Sequence, residues 1–197
     1  MTASLNRLWR DARGVTVLEF AFILPPMLFL LMGAGEVMYQ VYLQSLLDGA
    51  IQKAGRDSAI QGGANKTADL DTAVLQMVRV VAKTATIQSS VRKSYADFAK
   101  MKPERFDDTN GNNAYNSGEC FDDINGNRTW DADPGLVGQG GANDVTSYTL
   151  TISYTRLFPV AAILGWGQTH QLVATTLLKN QPYASQAVRA TARINCP

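Results

Sequence analysis

A run of 21 residues near the N-terminus, from Val15 to Gly35, carries only one charged side chain, Glu19. As an α-helix rising ~1.5 Å per residue, this run is about as long as the ~30 Å hydrocarbon core of a bilayer. Arginines cluster before it in residues 1–14, and acidic stretches lie far behind it. The positive-inside rule therefore predicts a single membrane-spanning segment with a cytoplasmic N-terminus and an exported body.

The same run also fits a secretory signal peptide, because the small residues 33–35 precede Glu36 as they do at a cleavage site. Glu19 weighs against this alternative, since a carboxylate at the bilayer centre costs roughly 2.5–3.5 kcal/mol on insertion scales and usually persists only with a partner. A third possibility is a plain anchor with Glu19 at the headgroup level.

Pro25 and Pro26 lie in the middle of the apolar run. Each removes a backbone donor, which predicts a kink or a locally opened helix.

The residues around Gly14 resemble the processing site of type IV pilin-like proteins, because Arg13-Gly14 precedes VTVLEF and an apolar run. More narrowly, RGVTVLEFAFILPP is similar to the opening of TadE-like pseudopilins of the tight-adherence (Tad, or Flp) pilus machinery. The resemblance implies that a prepilin peptidase cuts after Gly14 and makes Val15 the new N-terminus. Glu19 would then neutralise the Val15 amine of a neighbouring subunit and set the register between subunits.

Function and location follow from this resemblance. It implies a membrane-anchored minor pilin-like subunit in the assembly of a Tad-type (type IVc) pilus. Its partners would be other pilin-like subunits, the pilus assembly machinery and prepilin peptidase. The chain would cross the inner membrane once and hold its body in the periplasm, with incorporation into an extracellular pilus left open. The alternative is a secreted, soluble calcium-binding or adhesive domain with an ordinary signal peptide.

Composition argues against several other functions. The chain has 18 Lys and Arg residues against 17 Asp and Glu residues, and a net charge of +1 does not favour a nucleic-acid partner. One histidine, His170, and two cysteines are too few for a zinc site, and no nucleophile has an adjacent base. We therefore expect no enzyme, we interpret His170 as a surface residue, and a periplasmic hydrolase is the weakest hypothesis.

Two helices are predicted from apolar spacing. The first continues beyond the apolar run as an amphipathic stem to about Arg56 and ends at Gly62 and Gly63; the second has Thr67 as its N-cap and packs on the stem. The apolar positions are Leu43, Leu46, Leu47, Ala50, Ile51 and Ala54 in the stem and Leu70, Val74, Met77, Val78 and Val81 in the second helix.

Strand patterns dominate the C-terminal part. Apolar and polar residues alternate from Ser147 to Thr155, which predicts a half-buried strand with Tyr148, Leu150, Ile152 and Tyr154 on one face. Weaker strand predictions cover residues 89–101, 171–179 and 184–194.

The order of these elements predicts an α+β fold. A long N-terminal helix, transmembrane and then an amphipathic stem, and a second helix pack on a C-terminal antiparallel sheet, with a calcium-loop-like insert. The predicted divisions are a cytoplasmic leader at 1–14, the helix at 15–56, and an exported domain at 57–197 that contains the insert at 106–135.

The apolar stretch from Phe158 to Trp166 is bracketed by Pro159 and Gly165. It predicts a turn-rich connection or a membrane-proximal loop. For its two large aromatic side chains, packing in the core is favoured over a position at the membrane surface.

The insert contains a duplicated segment, FDDTNGNNAYNSGEC from Phe106 and FDDINGNRTWDADPG from Phe121. When each copy is numbered from its second aspartate, oxygen donors fall at the ligand positions of an EF-hand loop, with a backbone carbonyl at position seven. The first copy supplies Asp108, Asn110, Asn112, Ala114, Asn116 and Glu119. The second supplies Asp123, Asn125, Asn127, Thr129 and Asp131, with Asp133 as the replacement for the acid at position twelve, where Pro134 stands.

This donor set predicts Ca²⁺ binding, because oxygen ligands without His or Cys suit a hard cation. Both copies have a glycine at position four, Gly111 and Gly126. An EF-hand loop has its glycine at position six, where these copies have Asn113 and Arg128. The unit therefore resembles the DxNGN calcium repeats of secreted bacterial proteins more than a helix-loop-helix sensor. With two carboxylates per copy at ligand positions, the expected dissociation constant is ~10⁻⁴–10⁻³ M. The alternative is a polar, turn-rich loop that binds nothing.

Cys120 lies between the two copies, and Cys196 follows the last predicted strand. In an oxidising compartment we expect a disulfide between them, which would tie the insert to the end of that strand and contribute roughly 4 kcal/mol at most. Two free thiols are the weaker alternative.

Overall fold

The computed structural model describes residues 15–60, 66–158, 160–183, 186 and 190–196. The predicted leader at 1–14 and the helix end at Gly62 and Gly63 lie outside them. The elements in chain order are α1 (Val15–Ser58), α2 (Thr67–Arg79), β1 (Thr86–Tyr95), a 3-10 turn (Phe98–Lys100), β2 (Phe121–Asp123), β3 (Leu136–Val137), β4 (Val145–Thr155), α3 (Val160–Ile163), β5 (Thr169–Lys179) and β6 (Ala192–Ile194). The predicted α+β class is confirmed.

Two sheets are present in the described chain. The larger has the strand order β3-β1-β4-β5, and the smaller pairs β2 with β6. β1 is antiparallel to both of its neighbours, with an irregularity between Ile87 and Ser89 opposite β4. The pairing of β2 with β6 is also antiparallel and sets Phe121 opposite Ile194.

The chain divides into two compact units, and the division falls inside α1. The first unit comprises Met1–Tyr42 and Thr155–His170; the second comprises Leu43–Tyr154 and Gln171–Pro197. In the second unit the predicted stem face of α1 is buried, with Leu46 only half-buried at its margin. β4 alternates as predicted, and its four predicted inward side chains are all buried.

Gly55 sets how closely α1 approaches β5. A Cβ atom at this position would lie 3.0 Å from Cγ2 of Thr176 and 3.3 Å from Cδ2 of Leu178. A larger residue would therefore push the helix away from the strand, whose inward residues Leu172, Ala174 and Leu178 complete the core.

Three predicted boundaries need correction. Thr67 is the first helical residue and not the N-cap, since a threonine caps only from non-helical backbone; Lys66 holds the cap position without a side-chain capping hydrogen bond. The strand predicted over residues 89–101 runs from Thr86 to Tyr95, because the Asp97 carboxylate accepts the Lys100 N–H and starts the 3-10 turn. Of the strand predicted at 184–194, Ala192–Ile194 is observed, and 184, 185 and 187–189 lie outside the described residues.

A buried charge pair joins α2 to β1. Nη2 of Arg92 lies 2.6 Å from Oδ1 of Asp71, and the guanidinium lies 3.9 Å from the centroid of the Tyr148 ring. The Tyr148 hydroxyl donates to the same carboxylate oxygen. Burial raises the pKa of Asp71, but hydrogen bonds from Arg92, Ser90 and Tyr148 outweigh it and hold that pKa below its usual value.

Replacement of Asp71 by Asn is expected to lower the free energy of unfolding by about 3 kcal/mol at pH 7, because it leaves the Arg92 charge buried without its partner. Since the pKa of Asp71 is lowered in the folded state, this stabilisation is present above about pH 4 and is lost as the pH falls through the lowered value. Urea unfolding of the full chain in detergent at pH 7 and near pH 3 measures both effects. Asp69→Asn, an exposed change in the same turn, is the matched control; equal effects of the two variants would contradict the assignment.

Candidate functional site

The first half of α1 is an apolar helix with nothing packed around most of its surface. It begins at Val15, the residue after the predicted cleavage site, whereas Gly14 lies outside the described residues. Glu19 is exposed on the helix, and Phe22 and Leu30 are 80% and 76% exposed. The most apolar window has a mean hydropathy of 2.0, and none of it is buried. The helix fits a membrane anchor or a signal, and it is unbroken through Pro25 and Pro26.

A buried acid on α1 holds the chain that follows β4. Oε2 of Glu36 accepts the backbone N–H groups of Leu157 and Phe158, each at 3.1 Å, and Oε1 lies 3.8 Å from Nη1 of Arg156. The Phe158 ring packs on Gly35, where a Cβ atom would lie 3.0 Å from Cε2. We call this set of contacts the Glu36 latch; all of it lies in the first unit.

Two sequence-based interpretations of this part of the chain need correction. His170, interpreted as a surface residue, is half-buried, and its Nδ1 lies 3.1 Å from Nη2 of Arg156; burial and that neighbouring charge lower its pKa. Trp166 does not pack in a core, since it is 63% exposed, whereas Phe158 is half-buried against α1. Apolar composition favours the interior, yet Ile163 and Leu164 beside Trp166 are also mostly exposed, so this part of the loop is not part of a core.

Loop one, residues 108–119, is organised around its first and last acids. The Asp108 carboxylate accepts the N–H groups of Gly111, Asn112 and Asn113 at 2.7–3.2 Å. These bonds, that from Asn113 above all, hold the pKa of Asp108 below its usual value. Glu119 accepts the N–H groups at positions two and nine, from Thr109 at 3.0 Å and Asn116 at 2.8 Å, and its pKa is also lowered.

The other predicted donors of loop one are bonded within the loop. Oδ1 of Asn110 accepts the Asn112 N–H, and Oδ1 of Asn112 accepts the Ala114 N–H. Nδ2 of Asn116 donates to the Ala114 carbonyl at 2.7 Å. Hydrogen bonds within the loop therefore link all six predicted positions.

Loop two, residues 123–134, repeats this arrangement. Asp123 accepts the N–H groups of Gly126 and Arg128, as Asp108 does from the same positions in loop one. The remaining predicted donors are linked by side-chain hydrogen bonds: Asn125 and Asn127 donate to Asp131, and Thr129 donates to Asn127. Position six has a left-handed backbone in both loops, with φ of 59° at Asn113 and 65° at Arg128, although neither residue is glycine.

Glu104, which no sequence pattern indicated, makes the same hydrogen bonds in loop two that Glu119 makes in loop one. Oε1 accepts the Ile124 N–H at 2.7 Å and Oε2 accepts the Asp131 N–H at 2.9 Å, which are again positions two and nine. The side chain is buried, and burial raises its pKa. Asp133, the predicted replacement, lies elsewhere and accepts from Lys93 and Tyr95, each at 2.6 Å.

The two loops pair through their aromatic residues. Tyr115 and Trp130, both at position eight, are stacked with ring centroids 5.0 Å apart, and Phe106 lies edge-on to both. A β-bridge joins Phe106 to Phe121, the equivalent residues before the two loops. Among the described residues, no three His, Cys, Asp or Glu side chains form a metal-binding group, so amide and carbonyl oxygens would have to supply much of any coordination.

A disulfide ties this pair of loops to the C-terminal segment. Cys120 and Cys196 are bonded across a sequence separation of 76. The bond lies beside the β2–β6 pair, where Arg193 contacts Asp107 at 2.6 Å and Asp122 at 3.3 Å. The loops are therefore covalently and electrostatically joined to β6.

The family model of TadE-like proteins matches residues 14–56. The resemblance seen around Gly14 and Glu19 is thereby confirmed, and it supports a pilin-like role associated with a Tad pilus. The matched family is a structural component of pili and not an enzyme family. The match covers nearly all of α1 and no part of the sheets or loops. No curated protein and no solved structure matches the chain.

Replacement of Glu36 by Ala is expected to speed hydrogen exchange at the Leu157 and Phe158 amides by about tenfold or more, because hydrogen bonds to a charged acceptor contribute about 1.5–3 kcal/mol. Exchange of the full chain in detergent, followed by mass spectrometry, measures this. Glu36→Gln retains an accepting oxygen and is expected to lie between wild type and Ala. Glu19→Ala, an exposed change on the same helix, is the control, and unchanged exchange in Glu36→Ala would contradict the latch.

Proposed function

We propose that the chain is a membrane-anchored minor pilin-like subunit in the assembly of a Tad-type pilus, with prepilin peptidase as its processing enzyme. The observation that carries the proposal is the TadE-like match at residues 14–56, which coincides with a 44-residue helix starting at Val15. Cleavage after Gly14 would free the amine of the first helical residue. The apolar half of α1 would then remain in the inner membrane, with the body in the periplasm.

Glu19 supports an assembly role in place of a passive anchor. It is the one charged side chain between Val15 and Gly35, and it lies on an exposed helical surface. An isolated carboxylate is costly in hydrocarbon unless a cation neutralises it. In an assembly of processed subunits, the Val15 amine of a neighbour supplies that cation and couples the pairing to one register.

The Glu36 latch disfavours the alternative of a signal peptide removed before Glu36. Such a cut would remove Gly35, on which Phe158 packs. It would also put Glu36, the acceptor of two loop N–H groups, at a frayed chain end. An anchored chain keeps both contacts, because Gly35 and Glu36 then lie inside a continuous helix.

We propose further that loops one and two each bind Ca²⁺. In loop one the ligands would be Asp108, Asn110, Asn112, the Ala114 carbonyl, Asn116 and Glu119. In loop two they would be Asp123, Asn125, Asn127, the Thr129 carbonyl and Asp131, with Glu104 in place of Asp133. The observation that favours this second function is the equivalence of Glu104 and Glu119, which accept from the same two loop positions. A bound cation would stabilise the ionised form of the buried Glu104 carboxylate.

Processing is tested by expressing Gly14→Leu from the native locus and measuring the intact mass of protein recovered from membranes. Wild type is expected to start at Val15, and the variant is expected to stay uncut and to abolish pili in sheared cell fractions. Gly33→Leu is the matched control, because a Cβ at Gly33 meets no atom within 4 Å. A wild-type chain starting near Glu36, or one uncut at Met1, would contradict the proposal.

Calcium binding is tested by calorimetric titration of the full chain in detergent with CaCl₂. Two weak sites are expected, with dissociation constants of ~10⁻⁴–10⁻³ M. Glu104→Ala is expected to weaken one of them by about tenfold or more, whereas Asp133→Ala leaves both unchanged. The absence of saturable binding in wild type would contradict the proposal, and a loss on Asp133→Ala alone would restore the sequence-based ligand set.

A further inference from the structure

The loop that connects β4 to β5 is apolar and free of charge. Residues 157–167 contain no charged side chain, and Arg156 and Gln168 flank them. Three of the large side chains on this loop are mostly exposed: Ile163 at 63%, Leu164 at 58% and Trp166 at 63%. Soluble surfaces rarely keep such residues together, so a contiguous apolar patch of this kind marks a contact surface.

The Glu36 latch fixes this loop at one level of α1. The N–H groups of Leu157 and Phe158 are bonded to Glu36, and the Phe158 ring contacts Gly35. Residues 16–35, at ~1.5 Å per residue, are about 30 Å long, which matches the hydrocarbon core of a bilayer. The latch therefore lies one membrane thickness from the start of α1, at the outer boundary of the apolar span.

The exposed apolar surface does not stop at that boundary. On α1 it continues past Glu36 through Val37, Met38, Val41 and Tyr42, all in the same unit as the loop. The loop and this part of the helix thus extend the surface of the membrane-spanning segment outward. Trp166 suits that depth, because an indole combines a large apolar ring with an N–H donor and is enriched at membrane interfaces.

We propose that Ile163, Leu164 and Trp166 of this loop insert into the headgroup and upper acyl region of the bilayer that α1 spans. The partner is the lipid surface on the outer side of the membrane. This inference rests on the proposed membrane anchoring of the chain. The Glu36 latch would act as the spacer that sets the depth of the loop, and hence limits tilting of α1 in the bilayer.

The test uses the full chain reconstituted in vesicles of phosphatidylcholine and phosphatidylglycerol, with or without bromine atoms near the top of the acyl chains. The fluorescence of Trp166 is obtained as the difference between wild type and Trp166→Phe. Trp130→Phe is the matched control. Trp130 lies in the aromatic stack of loops one and two, so its replacement is expected to leave the quenching of Trp166 unchanged. The brominated lipid is expected to reduce the Trp166 signal at least about twofold, and aqueous iodide is expected to leave it unchanged.

Three other outcomes would overturn either the inference or the membrane anchoring on which it rests. If the protein floats with the vesicles but iodide, and not bromine, quenches Trp166, the inference is overturned and the anchor is left intact. If Trp166 is shielded from both quenchers and this shielding disappears when the protein is diluted in lipid, the loop contacts a second copy of the chain. That result would also overturn the inference. Protein that fails to float with vesicles would overturn the anchor itself.

Discussion

The apolar surface of the first half of α1 has to be removed from water, and this requirement governs the rest of the structure. Ten large apolar side chains between Val17 and Leu31 are exposed on it. Their exposed fractions range from 41% to 80%. At about 1.5–3 kcal/mol per fully exposed side chain, leaving this surface in water would cost roughly 10–20 kcal/mol, comparable to the 5–15 kcal/mol by which a typical domain is stable. The segment therefore calls for an apolar environment around it.

The same helix changes character without a break. Between Val17 and Leu31 most of its apolar side chains are exposed, whereas from Leu43 it buries one face against the body and presents polar residues elsewhere. Gly55 lets its backbone approach β5 closely, so the second half acts as the core helix of an α+β domain. One element thus provides both the surface for an apolar environment and the scaffold for the sheets.

Local periodicity predicted much of this fold. The buried faces of α1 and β4 follow from helical spacing and strict alternation, which are properties of contiguous residues. The acid that completes loop two did not follow, because Glu104 precedes both copies and acts on N–H groups 20 and 27 positions away. The sequence shows that Pro134 stands at position twelve of loop two, where loop one has an acid. Asp133 is the acid next to that position, whereas Glu104 lies far from it in sequence. Glu36 was missed for the same reason, since its partners lie 121 and 122 positions away.

The disulfide has a consequence for the order of events during synthesis. A ribosome adding about 5–20 residues per second reaches Cys196 roughly 4–15 s after Cys120. During that interval Cys120 has no native partner, β6 does not exist, and β2 has an unpaired edge. For those seconds the Cys120 thiol cannot form its native disulfide. The loops are therefore synthesised in full before the bond that ties them to the C-terminal segment can form.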